Sequence, residues 1–427
     1  MREMATGRDT GPARRGAALL DLRAWLLPRS APISASGRGV LGAALLLLVI
    51  GLVTVYSASF YRALVREQGE FFFLRQQLLG AGLGLFALYA TSRLQPRRWL
   101  DLAPVGYLAA LALLLLVWSP IGISHGGANR WVDLGVIGFQ PSELAKIFVP
   151  LMVLWYLRLY GDVRRLAPAS RWRVVIRLAA FVVLPVALVL MQPDLGTAVF
   201  LGAIGGAVLL AGGVPLRYLL GLLVPVSPLL VWQAHERWGV ISNRVRGMLE
   251  PESVDQVRHA LTAIRAGGLD GAGLGRGTEK TLYLYAEFSD FIFAVFAEET
   301  GLIGVTVLLL LYVGLLVSGW RLVLRCRDLH LRLFAFAIVC NLIGQALMNL
   351  TVNTAMMPTK GIALPFISHG STGLSVALLQ VGILLSISRL ETAEGAAHPA
   401  TSGAGGATAA QGEEATSERD ATREGER

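Results

Sequence analysis

The sequence has few charged residues and almost no cysteine. Charged side chains make up 16% of its 427 residues and hydrophobic ones 54%, whereas soluble proteins average about 25% charged residues. These proportions argue against a soluble globular protein. Of the two cysteines, Cys326 is predicted to lie in a cytoplasmic loop and Cys340 inside a membrane span, so no structural disulfide is implied. The six histidines show no metal-ligand spacing.

Long apolar runs dominate the chain. A helix needs roughly 20 mostly apolar residues to cross the hydrocarbon core of a bilayer. Such runs lie near residues 39–59, 76–92, 101–119, 142–159, 174–191, 195–213, 216–233, 291–317, 333–354 and 365–388. They predict an all-α integral membrane protein, a bundle of about ten transmembrane helices with one large extracytoplasmic loop.

The excess of basic residues is explained by membrane topology. The chain has 38 Lys and Arg against 29 Asp and Glu, a formal net charge of +9. Arginines precede the first apolar run and follow the second, fourth, sixth and eighth runs. If the N-terminus is inside, all of these arginines are cytoplasmic, as the positive-inside rule expects. We therefore expect a multi-pass protein with both termini in the cytoplasm and no nucleic-acid partner.

Three regions follow from this topology. Residues 1–38 are expected to form a disordered, basic cytoplasmic segment, and not a cleaved signal peptide, because the first apolar run is too long. Residues 39–390 are expected to form the membrane domain, with the large outer loop at about 234–289. Residues 391–427 lack hydrophobic periodicity, which predicts a disordered cytoplasmic tail.

The large outer loop contains two distinct segments. Residues 255–266 are predicted to form a short interfacial helix with Val257, Leu261 and Ile264 on one face. The glycine-dense residues 267–277 either bring the backbone close to a phosphate or sugar, or form a flexible lid or tether. Without a flanking strand they are not a dinucleotide-binding fingerprint.

Asp290 is the main candidate for a chemical role. It opens a long apolar run at the edge of a predicted span. A carboxylate near lipid is costly unless it has a partner or a task. Most of the other charges near membrane depth are predicted on the same, outer side, which points to chemistry on a lipid-borne substrate at one membrane surface.

A second outer loop carries Arg130 and Trp131 and leads into the fourth run, whose start carries Glu143 and Lys146. Glu143 and Lys146 are three residues apart and share a helix face, so they are expected to form a local ion pair, which does not exclude a role in binding. Trp131 is equally well explained as a residue of the interfacial aromatic belt.

The last outer loop carries Lys360, its single charged residue between two strongly apolar runs. Lys360 either snorkels to lipid headgroups or clamps a phosphate or pyrophosphate. Its neighbours Ser368, His369, Ser371 and Thr372 could add hydrogen bonds to such a group.

Other polar residues fall inside or beside predicted spans. Asn341, Gln345, Asn349 and Asn353 are spaced four apart, and either tie helices together or line a polar cavity. Glu298 and Glu299 follow Asp290 by two helical turns and are candidate members of buried ion pairs, and Asp194 follows Pro193 at a turn and could be a helix cap.

Four motifs together resemble the SEDS family (shape, elongation, division and sporulation) of membrane proteins. They are GANRWVDLGVIGFQPSELAKI at 127–147, QPDLGTA at 192–198, SDFIFAVFAEETGLIG at 289–304 and PTKGIALPFISHGSTGL at 358–374. The resemblance covers roughly residues 40–390, and the PTKG form with the long polar termini is more similar to the division branch than to the elongation branch.

This resemblance implies a peptidoglycan glycosyltransferase of the bacterial inner membrane that polymerises lipid II at its outer face. The implied partners are a class B penicillin-binding protein and other membrane proteins of the divisome, at the division septum. Asp290 would match the essential carboxylate, and the substrate-binding residues would be Arg130, Glu143, Lys146, Lys360 and Ser368. The chain departs from the family in residues 285–289, where the usual Pro and His are absent, and in residues 369–372, which replace the usual Tyr-Gly-Gly-Ser.

The expected chemistry is a single displacement. Asp290 would act as general base on the 4-hydroxyl of the acceptor sugar, while Arg130, Lys146 and Lys360 stabilise the departing pyrophosphate. A divalent cation, Mg²⁺ or Mn²⁺, could assist, although no complete ligand set is visible. The alternatives are a flippase for the lipid-linked precursor, an elongation polymerase, and a non-catalytic scaffold.

Overall fold

Long helices make up most of the protein. The computed structural model describes Leu26 and residues 31–65, 69–125, 128–133, 135, 138–161, 163–279 and 289–397. Its α-helices there are α1 (Ala35–Val65), α2 (Phe72–Arg93), α3 (Pro96–Leu116), α4 (Pro141–Tyr160), α5 (Pro168–Met191), α6 (Leu195–Ala211), α7 (Leu216–Glu236), α8 (Trp238–Leu249), α9 (Asp255–Ala266), α10 (Ile292–Arg325), α11 (Leu329–Asn353) and α12 (Ser371–Ala397).

The ten predicted apolar runs coincide with the ten long helices, α1 to α7 and α10 to α12. Short turns separate α5 from α6 and α6 from α7, as predicted. In the part of the chain that the structure describes, six helices are long and apolar enough to cross a membrane by length and composition: Ala35–Phe60, Pro96–Leu116, Ser170–Met191, Ile292–Arg325, Leu329–Asn353 and Ser371–Glu394. The chain is therefore a membrane protein, and ten as the number of spans stays a prediction.

Two predicted boundaries of the membrane domain are wrong. Helix α1 begins at Ala35, inside the segment 1–38, because the Ser34 hydroxyl accepts the Gly37 backbone N–H at 3.2 Å and pairs with the Ser388 hydroxyl at 2.7 Å. Helix α12 continues to Ala397, and Glu394 on its polar end forms an ion pair with Arg97 at 3.0 Å. The rest of the two predicted disordered segments, apart from Leu26 and residues 31–34, lies outside the described residues.

The last predicted run begins six residues too early. Residues 365–370 form turns, and α12 begins at Ser371. The turn is held by the Ser368 hydroxyl, which accepts the Leu364 N–H at 2.8 Å. The outer loop between α11 and α12 is therefore longer than the predicted 355–364.

The predicted helical bundle is confirmed, and a small sheet that the sequence did not predict is added to it. Strands β1 (Gly122–His125), β2 (Ala128–Asp133) and β3 (Gly138–Phe139) form an antiparallel sheet in the order β1-β2-β3 between α3 and α4. The Thr372 hydroxyl donates to the Gly138 carbonyl at 2.9 Å, which ties the sheet to the start of α12. This contact places strand β2 over the outer end of the bundle.

The described part of the large outer loop is folded. Helix α9 forms where predicted, and its buried face consists of Val257, Ala260 and Ala263, which pack near the start of α10. The predicted face residues Leu261 and Ile264 are partly exposed. Helix α8, which the sequence did not predict, precedes α9. Residues 280–288 of the loop lie outside the described residues.

The glycine-dense stretch packs on α10. Ala272 N donates to Glu298 O at 2.9 Å, and Leu302 N donates to Gly268 O at 2.9 Å. These bonds use the break in α10 at Gly301, whose φ of 62° and ψ of −165° suit only glycine. The close backbone approach is therefore made to the helix, which contradicts a loose tether, and contact with a phosphate or sugar stays a prediction.

We expect Gly301→Ala to lower the thermal unfolding temperature by several degrees. A Cβ at Gly301 would meet the Gly271 nitrogen and the Leu269 carbonyl inside van der Waals contact, and strained φ/ψ values of this kind cost about 1–3 kcal/mol. Gly314→Ala is the matched control, because a Cβ there meets nothing within 4 Å on the same helix. Equal unfolding temperatures for the two variants would contradict this packing.

Candidate functional site

A cavity of about 600 Å³ opens where the sheet, α4, the start of α10 and the α11–α12 loop meet. Five of the six site residues predicted from sequence line it: Asp290, Arg130, Glu143, Lys146 and Ser368. The sixth, Lys360, is not among the lining residues, but the next residue, Gly361, is. The structure thus brings together residues that are up to about 240 positions apart in the chain.

Asp290 is held in place through its backbone. The side-chain amides of Asn349 and Asn353 donate to the Asp290 carbonyl at 3.0 and 2.9 Å. The Ser368 hydroxyl donates to the preceding carbonyl, that of Ser289, at 2.6 Å. The amide stripe of α11 therefore ties chain segments together, as predicted, and its outer end fixes the position of Asp290.

The surroundings of Asp290 raise the pKa of its carboxyl group. Burial is the largest cause and brings the pKa to about 6, while Arg130 lowers it, Asp194 raises it, and Arg244 lowers it. The side chain keeps partial exposure toward the cavity. A carboxylate with a pKa near 6 is ionised at neutral pH and accepts a proton more readily than an ordinary aspartate.

Arg130 lies against the start of α6. Its guanidinium donates to the Pro193 carbonyl and approaches Asp194 Oδ2 at 3.8 Å. Asp194 caps α6, as predicted, by accepting the Thr197 N–H at 3.1 Å and the Thr197 hydroxyl at 2.9 Å. The α5–α6 turn therefore orients Arg130 and partly balances its charge.

Lys146 is nearly buried, with 4% of its surface exposed. Its ammonium donates to Glu143 Oε1 at 2.7 Å and to Gln345 Oε1 at 3.0 Å. The predicted ion pair is confirmed, and it extends through Gln345 to Asn341 and from there to Gln380. This network joins α4, α11 and α12 at the inner wall of the cavity.

Lys360 lies in the chain next to Gly361, which approaches Asp290, and its side chain packs against Gly196. A Cβ at Gly361 would be 3.4 Å from Asp290 Oδ2, and one at Gly196 would be 3.3 Å from Lys360 Cβ. Within the described residues the Lys360 ammonium has no hydrogen bond or ion pair. Burial is the larger cause that lowers the pKa of Lys360, and the positive charge of Arg244 lowers it further. Lys360 thus packs its aliphatic stem on the α6 N-terminus.

The hydroxyl groups that follow Lys360 in the sequence form hydrogen bonds within the protein. Ser368, Ser371 and Thr372 donate to the carbonyls of Ser289, Gln76 and Gly138 at 2.6, 2.9 and 2.9 Å. Burial lowers the pKa of His369 to about 4, so its ring is neutral. These residues shape the cavity wall, and their predicted hydrogen bonds to a ligand stay a prediction.

Glu298 and Glu299 bind neighbouring segments. Glu298 Oε1 accepts the backbone N–H groups of Thr278 and Glu279 at 2.6 and 3.2 Å. Glu299 accepts the Ser57 hydroxyl on both oxygens, at 2.6 and 2.7 Å. The two buried carboxylates therefore fasten the outer loop and α1 to the start of α10.

Arg244 is the residue of this site that sequence reasoning missed. It lies on α8 and is half-buried. Burial is the largest influence on its pKa and lowers it, followed by the charges of Arg130, Asp194, Arg237 and Asp290. The amphipathic spacing of residues 238–249 was the available signal for a helix, but nothing in the sequence places Arg244 near a residue 46 positions away.

The predicted divalent cation is not tested by the fold. Within the described residues no group of three or more His, Cys, Asp or Glu side chains could hold a metal ion. Mg²⁺ is commonly bound by one or two carboxylates together with substrate phosphates, and among the described residues that line the cavity Asp290 is the carboxylate that is not paired with lysine. The cation therefore stays a prediction.

Comparison with known proteins gives consistent matches. The model of the FtsW/RodA/SpoVE family, described as cell cycle protein, matches residues 38–393. The probable peptidoglycan glycosyltransferase FtsW of Geobacter metallireducens is 37% identical over 350 residues, covering 81% of this chain and 92% of that protein. The stage V sporulation protein E of Bacillus subtilis is 34% identical, covering 81% of this chain and 94% of that protein.

Two solved structures share the fold. A peptidoglycan synthase complex that coordinates polymerization and crosslinking contains a chain with a TM-score of 0.64 and 30% identity, covering 83% of this chain and 98% of that chain. The rod shape determining protein RodA of Thermus thermophilus has a TM-score of 0.61 and 30% identity, covering 85% of this chain and 98% of that chain.

We expect Arg244→Gln to raise the pKa of Asp290 above its value of about 6, because Arg244 lowers that pKa. The titration is measured from the carboxyl infrared band that is absent in Asp290→Asn. Arg258→Gln is the control, since Arg258 binds Asp255 at 2.8 Å on the exposed side of α9. An unchanged or lower pKa in Arg244→Gln would show that the two residues are not electrostatically coupled.

Proposed function

This chain belongs to the FtsW/RodA/SpoVE family and is a peptidoglycan glycosyltransferase, and we propose that it polymerises lipid II with Asp290 as the general base. The observation that carries the proposal is a carboxylate of raised pKa at the wall of a cavity that also holds basic residues. Such a combination is typical of catalytic sites.

The proposed reaction needs one proton acceptor. The 4-hydroxyl of the acceptor sugar attacks the anomeric carbon of the donor, forming a C–O bond as the bond to the pyrophosphate breaks. The hydroxyl proton passes to Asp290, and the electron pair of the broken bond leaves with the pyrophosphate. General-base catalysis of this kind contributes about 10²–10⁴-fold in rate.

The basic residues have different proposed roles in stabilising the departing pyrophosphate. Lys360 precedes Gly361, which lies beside Asp290, and its ammonium has no anionic partner in the described part of the chain, so we assign it to bind the departing pyrophosphate directly. Arg130 and Lys146 are already engaged by Asp194 and Glu143. They act mainly through the positive potential they add to the cavity, and Glu143 keeps Lys146 in position.

The inner part of the cavity suits the lipid end of the substrate. Its wall includes Leu374 and Ala377 of α12 and Phe200 of α6, beside the polar Gln345 and Gln380. The polyprenyl chain would pass between membrane helices there, while the sugars face the outer loop.

Several finer assignments belong to the same proposal. The relatives named FtsW favour the division branch over the elongation branch, with action at the septum. The chain would have both termini in the cytoplasm, work with a class B penicillin-binding protein, and contact other divisome membrane proteins. The similarity to a peptidoglycan synthase complex supports a transpeptidase partner.

A lipid-precursor flippase is the second candidate. The polar residues that favour it are Gln345 and Gln380, which face the deep part of the cavity. Their amides, however, form hydrogen bonds with Lys146 and Asn341. A substrate that passed between them would have to break these hydrogen bonds in each transport cycle. We therefore prefer polymerisation.

We expect Asp290→Asn to reduce lipid II polymerisation by at least about 100-fold, because the amide cannot take the proton. In the wild type, kcat/KM should rise with pH through about 6, since the base works only when ionised and its pKa is about 6. The measurement is polymer formed from purified lipid II in proteoliposomes, with a co-purified penicillin-binding protein.

Asp270→Asn serves as the control and should polymerise normally, because Asp270 is exposed in the outer loop. Polymerisation by Asp290→Asn at the wild-type rate would eliminate Asp290 as the base. Lipid translocation by that variant without polymer would favour the flippase.

A further inference from the structure

A second cavity of about 480 Å³ lies beside the first, under helix α8. Its polar lining includes Ser242, Asn243, Arg244, Arg246, Gln256 and Thr359. We propose that this cavity, called here the basic groove, binds carboxylates of the stem peptide carried by the saccharide substrate. The inference rests on the proposed glycosyltransferase function and names a subsite for the part of the substrate outside the reacting sugar and the lipid.

The charge of the basic groove indicates an anionic ligand. Of the residues that the structure describes, two arginines and no acidic residue line it. Neither the Arg244 nor the Arg246 guanidinium has a hydrogen bond or ion pair with a residue that the structure describes. By contrast, Arg130, Lys146 and Arg258 each approach a carboxylate, at 3.8, 2.7 and 2.8 Å. A half-buried guanidinium such as that of Arg244 gains most from a charged partner.

The position of the basic groove favours a ligand other than the polyprenyl chain. Its walls come from α8, Val254, Gln256 and Thr359, which belong to outer segments, and none comes from the helices long and apolar enough to span a membrane. The first cavity, by contrast, reaches Ala377 and Gln380 of α12. A pyrophosphate joined to a polyprenyl chain stays with the first cavity. The stem peptide supplies the negative charges that extend away from the membrane.

The basic groove adjoins the proposed catalytic site. The charges of Asp290 and Asp194 both act on Arg244, and Thr359 immediately precedes Lys360. A saccharide whose reacting hydroxyl lies at Asp290 can therefore direct its peptide toward Arg244 and Arg246. Binding of the peptide in the basic groove would then hold the sugar at a fixed position relative to Asp290.

The chemistry of the lining fits a peptide with carboxylates. A guanidinium binds a carboxylate with two parallel hydrogen bonds, which a point charge cannot do. Asn243 and Gln256 supply amides that can donate to and accept from peptide bonds, and Ser242 adds a hydroxyl. A site for inorganic phosphate alone would not need these amides.

The test compares two forms of lipid II, one with free stem carboxylates and one in which those carboxylates are amidated. The wild type should use the free form with about tenfold lower KM, as for one charge-assisted interaction. Arg246→Gln should raise KM for the free form about tenfold with little change in kcat, and should leave the amidated form unaffected. Arg246→Lys should recover part of the loss, and Arg258→Gln should match the wild type.

A binding measurement separates this inference from the catalytic proposal. The soluble disaccharide-peptide, without lipid or phosphate, should bind to Asp290→Asn protein, and the Arg246→Gln change should weaken that binding about tenfold. Loss of binding would be expected even if Asp290 proved not to be the base. If Asp290→Asn abolishes polymerisation while Arg246→Gln treats both substrates like the wild type, the glycosyltransferase proposal stands and the basic groove is refuted.

The third outcome concerns the source of the negative charge. If Arg246→Gln slows both forms equally, and inorganic pyrophosphate competes for the groove in the wild type, the ligand is the diphosphate and the stem-peptide assignment is overturned. If the wild type itself does not distinguish the free form from the amidated form, no carboxylate is recognised and the proposal is likewise overturned.

Discussion

Two side-chain amides on one helix determine where the site forms. Asn349 and Asn353 of α11 bind the Asp290 carbonyl, and Asn349 also donates to the Ile362 carbonyl at 2.9 Å. The carboxylate and the loop that carries Lys360 are thus fixed to the same helix. Amides inside an apolar bundle must find partners, so the hydrogen bonds that satisfy Asn349 and Asn353 also hold the Asp290 backbone and the Lys360 loop against α11.

The electrostatics of the cavity depend on which basic residues are already paired with a carboxylate of the protein. Asp194 and Glu143 hold Arg130 and Lys146, while Lys360 and Arg244 have no such carboxylate among the described residues. Burial raises the pKa of Asp290, and the nearby arginines limit that rise. The result is a carboxylate that is ionised at neutral pH yet basic, next to cations available to a negatively charged substrate.

The sequence identified most of this site because its parts obey short-range rules. The pairing of Glu143 with Lys146 follows from helical spacing, and Asp290 is conspicuous as a charge at the edge of an apolar run. Arg244 could not be found in this way, because its proximity to Asp290 depends on how the outer loop folds back. The glycine-dense stretch was interpreted without its partner, the break in α10 at Gly301, and the β-sheet depends on pairing that only the folded chain reveals.

The attachment of the outer loop to α10 has a mechanical consequence. Backbone hydrogen bonds join residues 268–273 to the turns around Gly301, and the Glu298 carboxylate accepts the backbone N–H groups of Thr278 and Glu279. In sequence, Asp290 lies between these two anchored stretches, in the turn just before α10 begins at Ile292. A displacement of the outer loop relative to α10 would therefore strain hydrogen bonds to chain segments that flank the carboxylate on both sides in sequence.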